Sequence, residues 1–219
     1  MTISHKDSVI ELLSLVITKD EYNDSSQASE IYNGTISDFN YLKEVVNLHY
    51  KSGNFLEIGC GSRKSLESLP ITHAIEPNPV RRRKGKAVVD GYAEAIPFED
   101  SMFSTVLMWG TWCFLRSEKE ALIEINRVLE IGGIYIFDAI IETDLPIIRV
   151  DEPRNLIVRI ELFGFKLIEL RNVPISVGQK RIILAFSKIR EFDWKYLCLP
   201  QLVGGKINNY ITSRDWYLR

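Results

Sequence analysis

The sequence predicts an α/β fold built on a mostly parallel β-sheet with helices on both faces. Short apolar runs that read as buried strands alternate with helix-like segments between residues 54 and 189. Strands that are apolar on both sides are typical of parallel sheets covered by helices. A turn with two glycines, Gly59 and Gly61, follows the first of these strands, and the runs at 165–173 and 181–188 read as a final antiparallel pair.

Length and composition indicate a globular chain rather than a disordered or membrane-spanning one. The 219 residues are 46% hydrophobic and 26% charged, and the net charge of −2 gives no general attraction to nucleic acid or anionic membranes. No apolar run reaches the roughly 18 residues of a spanning helix, and no signal-peptide cleavage site follows the N-terminal apolar stretch. Three cysteines and three histidines are scattered, so we predict a cytoplasmic protein without a disulfide framework or a metal site.

Residues 1–52 are predicted to form a helical cap or lid over the rest of the protein. The apolar run at 8–17 reads as a first helix, and the polar stretch at 23–38 reads as a loop. A second helix is predicted over 37–52, because its apolar residues recur at helical spacing and Gly53 follows as a stop.

Residues 53–189 are predicted to form the core. Its strands before the final pair are NFLEIG, THAIEP, KAVVDG, FSTVLMW and IYIFDAII. The clearest helix begins with a capping box of Ser117 and Glu120, carries one apolar stripe, and is predicted to end at Gly132–Gly133. A further helix is predicted to start at Pro153.

The C-terminal tail, residues 190–219, is polar and rich in tyrosine and tryptophan. Its pattern has no clear period, so its structure stays open. Three roles fit this tail: a substrate lid, a dimer contact or plain packing. The sequence does not decide the oligomeric state, and a homodimer is one alternative.

The glycine turn points to a ligand. In open parallel sheets, ligands bind beyond the carboxyl ends of the strands, and a helix N-terminus after such a turn favours a carboxylate or phosphate. Glu76 ends the second strand, where a carboxylate can accept hydrogen bonds from both hydroxyls of a ribose. A dinucleotide and S-adenosylmethionine share this layout. The dinucleotide fingerprint needs a third glycine where this chain has Lys64, which disfavours a nicotinamide-dependent oxidoreductase.

Four segments together resemble the class I S-adenosylmethionine-dependent methyltransferases, in particular the type 11-like methyltransferase domain. They are LEIGCG (56–61), AIEPN (74–78), GYAEAIPFEDSMFSTVLM (91–108) and EINRVLEIGG (124–133). The resemblance covers about residues 54–138. It implies a Rossmann-like, seven-stranded, mostly parallel sheet with an antiparallel terminal hairpin, and S-adenosylmethionine as the cofactor.

The resemblance also implies the residues of the site. The predicted cofactor-binding residues are Glu57, Gly59, Cys60, Gly61, Arg63, Glu76, Pro77, Tyr92, Ala93, Glu94, Trp109 and Gly110. The methionine end is expected at the glycine turn, the ribose at Glu76, and the adenine at Tyr92 and Ala93. Arg63 stands where the family often has glycine, and we predict that it pairs with the cofactor's carboxylate.

Two further positions depart from the family: Tyr92 stands where an aspartate is usual, and so does Ser104. Tyr22 and Trp112 are candidates for the substrate pocket. No catalytic residue is assigned, because the sulfonium already activates the methyl group and the protein must mainly position the acceptor.

We therefore predict methyl transfer from S-adenosylmethionine to a small-molecule acceptor. The WGTW segment at 109–112 replaces the motif that gathers amino groups of nucleobases or glutamine in resembling enzymes. Two alternatives stay open. A methyltransferase-like binding module would bind the cofactor weakly or not at all, and an RNA or protein methyltransferase would use the basic residues at 81–84.

Overall fold

A computed structural model gives the fold, and it describes residues 39–61, 68–77, 88–143, 151–176 and 179–193 together with the short strands at 202–203 and 206–207. The elements are α1 (Phe39–His49), β1 (Phe55–Ile58), β2 (His73–Ile75), β3 (Val88–Val89), β4 (Phe103–Met108), α2 (Glu118–Val128), β5 (Leu129–Thr143), α3 (Pro153–Leu162), β6 (Phe165–Ser176), β7 (Gln179–Lys188), β8 (Leu202–Val203) and β9 (Lys206–Ile207). None of the helices in these ranges is long and apolar enough to cross a membrane.

The structure describes only part of the segments into which the chain is predicted to divide. Residues 1–38, which carry most of the predicted cap, lie outside the described residues. The helix predicted over 37–52 is α1. In the tail, β8 and β9 pair as a small antiparallel hairpin. The division into cap, core and tail stays a prediction.

Seven strands form one sheet in the order β3-β2-β1-β4-β5-β7-β6. The first five in that order run parallel, and β7 lies antiparallel between β5 and β6. The predicted α/β fold with its terminal hairpin is therefore confirmed. Parallel order brings the carboxyl ends of β1, β2, β4 and β5 to one edge, which we call the carboxyl edge.

Alternate residues of each strand point to opposite faces of the sheet, and helices cover both faces. On one face, α2 contributes Ala121, Leu122, Ile125 and Val128, and α3 contributes Leu156 and Ile160. On the other face, α1 packs Leu42, Val45 and Val46 against β4, β5 and β7. Each side chain named here is fully buried.

The start of α2 was predicted correctly from the sequence, and its end was not. Ser117 caps the helix by accepting a hydrogen bond from the Glu120 N–H at 3.3 Å. The helix ends at Val128, not at Gly132–Gly133, because Leu129 already pairs with Phe103 of β4. The two glycines lie in an irregularity of β5, where the pairing jumps before it resumes further along the strand.

Lys188, at the end of β7, is a fully buried cation that ties this strand to the end of α2. Its ammonium donates hydrogen bonds to the backbone carbonyls of Asn126 and Leu129, each at 2.7 Å, and to the Glu191 carboxylate at 2.8 Å. A cation at a helix C-terminus also interacts favourably with the helix dipole. The three donors of the ammonium are therefore all in use.

Replacing Lys188 with methionine tests this contact. The apolar side chain keeps the packing, but two buried carbonyls lose their donor, so we expect the free energy of unfolding to fall by about 3 kcal/mol. Urea denaturation followed by circular dichroism measures the loss. The control is Lys166→Met on the exposed side of β6, which we expect to change stability by less than about 0.5 kcal/mol. Equal effects of the two substitutions would contradict the assigned role.

Candidate functional site

The carboxyl edge is built from turns that leave β1, β2 and β4. Gly59 and Gly61, just after β1, have φ of 70° and 50°, a region that glycine enters without steric cost. The N–H groups of Gly59 and Cys60 both point at the carbonyl of Ile75, at 2.9 and 3.3 Å. The glycine turn is thus fastened to the end of β2.

Glu76 follows β2 directly and makes a second link to this turn. Its carboxylate oxygen Oε2 accepts the N–H of Gly61 at 2.7 Å, and its own N–H donates to the carbonyl of Val89 at 3.1 Å. The residue is 5% exposed. An ionised carboxylate has about four acceptor positions, and the Gly61 N–H occupies one of them.

The two glycines of the turn differ in the space beside them. A Cβ on Gly59 would lie 2.4 Å from Oγ1 of Thr111, so the Thr111 side chain fills that position. A Cβ on Gly61 would have no atom of the described residues within 4 Å. Gly59 is therefore required by packing within the protein, whereas the described residues leave the position beside Gly61 unfilled.

The residues Trp109, Gly110 and Thr111 form the turn after β4, which we call the 109–111 turn. Gly110 has φ of 62°, and its N–H donates to Oδ1 of Asp138 in β5 at 2.5 Å. Oδ2 of the same carboxylate accepts from Arg181 of β7 at 2.8 Å. Asp138 and Arg181 are each 3% exposed, so this is a buried ion pair with a third, backbone member.

Two tryptophans follow β4 and are both 2% exposed. Trp109 packs in the apolar cluster on the α1 side of the sheet. Trp112 stacks obliquely on Phe137, with ring centroids 4.6 Å apart, and its indole N–H donates to Asp151 at 2.9 Å. Asp151 also accepts from Arg159 of α3 at 2.8 Å. These two contacts hold the Trp112 side chain in one orientation beside the carboxyl edge.

The loop after β3 carries the residues predicted to meet the adenine. Tyr92 is 41% exposed, with the Arg116 guanidinium 4.8 Å from its ring centroid. Ala93 is 5% exposed. Glu94 accepts the N–H groups of Arg116 and Ser117, at 2.7 and 3.2 Å, so its carboxylate satisfies donors at the start of α2.

Arg127 of α2 fastens the far end of the same loop. Its guanidinium donates to the carbonyls of Ile96 and Phe98, each at 2.8 Å, and to Glu124 and Asp100. Glu124 in turn accepts the Ile96 N–H at 2.9 Å. The hydrogen bond from Arg127 lowers the pKa of the Glu124 carboxyl from its ordinary value, against a smaller opposing effect of burial.

The structure brings most of the predicted residues to the carboxyl edge or the loop beside it. They are Gly59, Cys60, Gly61, Glu76, Pro77, Tyr92, Ala93, Glu94, Trp109, Gly110 and Trp112. Glu57 lies within β1 and is 1% exposed. Tyr22 and Arg63 lie outside the described residues, so the predicted pairing of Arg63 stays a prediction. In the described ranges no cluster of potential ligands could hold a metal ion.

Sequence reasoning missed Thr111, Asp138 and Arg181. A signal was available for Asp138, which is a charged residue inside the apolar run IYIFDAII, whereas Arg181 only begins the run RIILAF and follows Lys180. Charged residues are almost never fully buried unless they are paired, so a partner for Asp138 could have been expected.

A comparison with known protein families matches the part of the chain that contains the glycine turn and the 109–111 turn. A family model described as "Methyltransferase domain" matches residues 56–137. An uncharacterised protein of Methanocaldococcus jannaschii is 33% identical over 101 residues, which are 43% of this chain and 40% of that protein. The chain thus spans about two fifths of the length of this curated relative.

Solved structures share the fold. A protein from Thermotoga maritima, described as an S-adenosylmethionine-dependent methyltransferase and possible histamine N-methyltransferase, aligns with a TM-score of 0.60 and 22% identity, over 74% of this chain and 96% of that one. Geranyl diphosphate C-methyltransferase of Streptomyces coelicolor A3(2), solved with Mg²⁺, geranyl diphosphate and S-adenosyl-L-homocysteine, aligns with a TM-score of 0.56 and 9% identity, over 68% and 77%. At these identities the likeness establishes the fold.

The Arg127 contacts predict a pH-dependent contribution to stability. Because the pKa of Glu124 is lower in the folded protein than the 4.5 of a free glutamate, its contribution is complete above that value and is lost as the pH falls through the folded pKa. We expect Glu124→Gln to cost about 1 kcal/mol at neutral pH, and the difference from the unsubstituted protein to shrink as the pH falls below 4.5.

Urea denaturation at a series of pH values measures this difference. Glu130→Gln, at an exposed position beyond the end of α2, is the matched control and is expected to show a small difference at every pH. A Glu124→Gln difference that stays constant from neutral to acid pH would show that its charge does not contribute.

Proposed function

We propose, from the match of residues 56–137 to a methyltransferase domain, that the protein transfers a methyl group from S-adenosylmethionine to a small-molecule acceptor. One observation carries the proposal: the buried Glu76 carboxylate is held by the Gly61 N–H at 2.7 Å, beside a position at Gly61 that the described residues leave unfilled. A carboxylate and a glycine backbone in this arrangement suit a ribose and a carboxylate-bearing ligand end.

The residues present fit the cofactor. Glu76 offers acceptors for the ribose hydroxyls, and its bond to Gly61 fixes the carboxylate in one orientation before a ligand arrives, which reduces the entropy cost of binding. The glycine turn exposes backbone at Gly61 and has room for the methionine end. Ala93 and Tyr92 border the region proposed for the adenine, where the exposed part of the Tyr92 ring offers a surface for stacking.

The cofactor, when bound, supplies a methyl group that its sulfonium already activates. What the protein adds is position: the acceptor atom must lie in line behind the methyl group, with water excluded. The 109–111 turn and the buried Trp112 are the parts of the carboxyl edge placed to do this. Nearby charged side chains are engaged in ion pairs, Asp138 with Arg181 and Asp151 with Arg159, which suits a positioning role better than proton transfer.

A small-molecule acceptor is supported by two proteins of the same fold, one described as a possible histamine N-methyltransferase and the other as a geranyl diphosphate C-methyltransferase. The basic residues 81–84, on which an RNA or protein acceptor would depend, lie outside the described residues. That alternative, the cytoplasmic location and the homodimer stay predictions.

A second candidate function is a methyltransferase-like binding module. The observation in its favour is Tyr92, which replaces the carboxylate usual in the resembling family and is covered on one ring face by Arg116. Without that carboxylate, the adenine amino group has one acceptor fewer, and cofactor affinity falls. A direct measurement of cofactor binding separates the two functions.

Glu76→Gln is the decisive substitution. The amide keeps the length of the side chain but loses the charge and half of the acceptor capacity, so we expect the affinity for S-adenosylhomocysteine to fall about 10- to 100-fold. Isothermal titration calorimetry measures the dissociation constant of both proteins. Glu130→Gln, far from the carboxyl edge, is expected to bind like the unsubstituted protein.

Two results would count against the proposal in different ways. Absence of heat when S-adenosylhomocysteine and S-adenosylmethionine are titrated into the unsubstituted protein would favour the binding module. Equal affinity of Glu76→Gln and the unsubstituted protein would remove the ribose role from Glu76. Native mass spectrometry of the freshly purified protein complements the titration, since it reports a retained cofactor or acceptor by mass.

A further inference from the structure

We propose that Asp138, Arg181 and Thr111 are positioning residues that lock the 109–111 turn to the glycine turn after β1, so that cofactor affinity depends on a buried ion pair that does not itself touch the cofactor. This inference rests on the proposed function and assigns a role to residues that neither the sequence resemblance nor the family match singles out.

The first step is the double use of the Asp138 carboxylate. Oδ1 accepts the Gly110 N–H at 2.5 Å, and Oδ2 accepts from Arg181 at 2.8 Å. Both partners are donors, so both side-chain atoms that face them must be acceptors. Only a carboxylate meets this condition, because an asparagine would point an NH₂ group at one of the two donors.

The second step is that stability alone does not account for this ion pair. Asp138 and Arg181 are each 3% exposed, and buried ion pairs are commonly no more stable than apolar side chains of similar volume, because two charges must be taken out of water. Neighbouring positions of β5 and β7 are apolar, as Phe137, Ile182 and Ile183 show. What the charged pair adds at this place is a fixed direction for the Gly110 N–H.

The third step is the link from the 109–111 turn to the glycine turn. The Thr111 hydroxyl lies 3.4 Å from the carbonyl oxygen of Gly59 and 3.3 Å from that of Trp109. The Thr111 side chain also occupies the position that a Cβ on Gly59 would take. A displacement of the 109–111 turn therefore displaces Gly59 or opens a gap beside it.

These contacts form one chain across four strands. Arg181 of β7 holds Asp138 of β5, Asp138 holds Gly110 after β4, and Thr111 contacts Gly59 after β1. The same glycine turn continues to Gly61, whose N–H is bound by Glu76. The ion pair is thus coupled through contacts to the carboxylate proposed to hold the ribose.

The experiment compares S-adenosylhomocysteine affinity, measured by calorimetry, with the amide proton shift of Gly110, measured by ¹H–¹⁵N NMR. The variants are Asp138→Asn, the double variant Asp138→Asn/Arg181→Met, Thr111→Val and Thr111→Ser. The control is Lys188→Met, which loses stability at the opposite edge of the sheet.

We expect Asp138→Asn to weaken binding about tenfold and to shift the Gly110 amide proton upfield, since the amide side chain cannot serve both donors. In the double variant, the carbonyl of the substituted side chain no longer faces a guanidinium and is released to accept the Gly110 N–H. Affinity is then expected to return to within about threefold of the original, and the amide proton to move back.

Thr111→Val, which keeps the shape of the side chain but loses the hydroxyl, is expected to weaken binding about threefold. Thr111→Ser is expected to bind more tightly than Thr111→Val.

Lys188→Met is expected to keep the original affinity, and a loss as large as that of Asp138→Asn would show a general effect of reduced stability and overturn the inference. Unchanged affinity in both folded Asp138→Asn and Thr111→Val would also overturn it, with the proposed function intact. If Asp138→Asn does not fold, Thr111→Val and Thr111→Ser decide. If the unsubstituted protein does not bind S-adenosylhomocysteine, the proposed function and this inference fail together.

Discussion

The carboxyl edge depends on one repeated interaction: a buried carboxylate accepts the backbone N–H of a glycine whose φ is positive. Glu76 does this for Gly61, and Asp138 does it for Gly110. Turns that leave the ends of parallel strands expose N–H groups that no neighbouring strand can satisfy, and a buried donor without a partner is costly. The carboxylates satisfy these donors, and they also decide where the turns lie.

The two carboxylates differ in how their charge is balanced, and strand order explains the difference. Asp138 lies in β5, whose neighbour β7 runs antiparallel and brings Arg181 alongside. Insertion of β7 between β5 and β6 is therefore what makes a charged residue tolerable in the middle of the sheet. Glu76 lies at the end of β2, next to the short strand β3, and its described hydrogen bond is to the Gly61 N–H.

The fold could be predicted from the sequence wherever a local pattern and a burial requirement agree. The run that forms β1, the glycine turn after it and the Ser117 cap were all readable, because each depends on a few adjacent residues. The end of α2 was not, since Gly132–Gly133 is a normal helix stop and only the pairing of Leu129 with Phe103 shows that the strand begins earlier. Such pairing is a contact between distant parts of the chain, which local patterns do not carry.

The same distinction applies to the site. The resemblance pointed to the glycine turn and Glu76, whose motifs are short and continuous. It did not point to Thr111, whose importance arises from its position over Gly59.

Two of the carboxylates that the structure describes near this edge are paired with guanidinium groups. Asp138 is bound to Arg181, and Asp151 to Arg159, which also holds Glu118 at 2.9 Å. Each of these two carboxylates therefore already faces a guanidinium and accepts its hydrogen bond. Under the proposed function, this part of the protein contributes through geometry, which can lower a barrier by several kcal/mol when two reactants are held in line. A group transfer whose donor is already activated is the kind of reaction that such a rigid, internally neutralised edge is suited to promote.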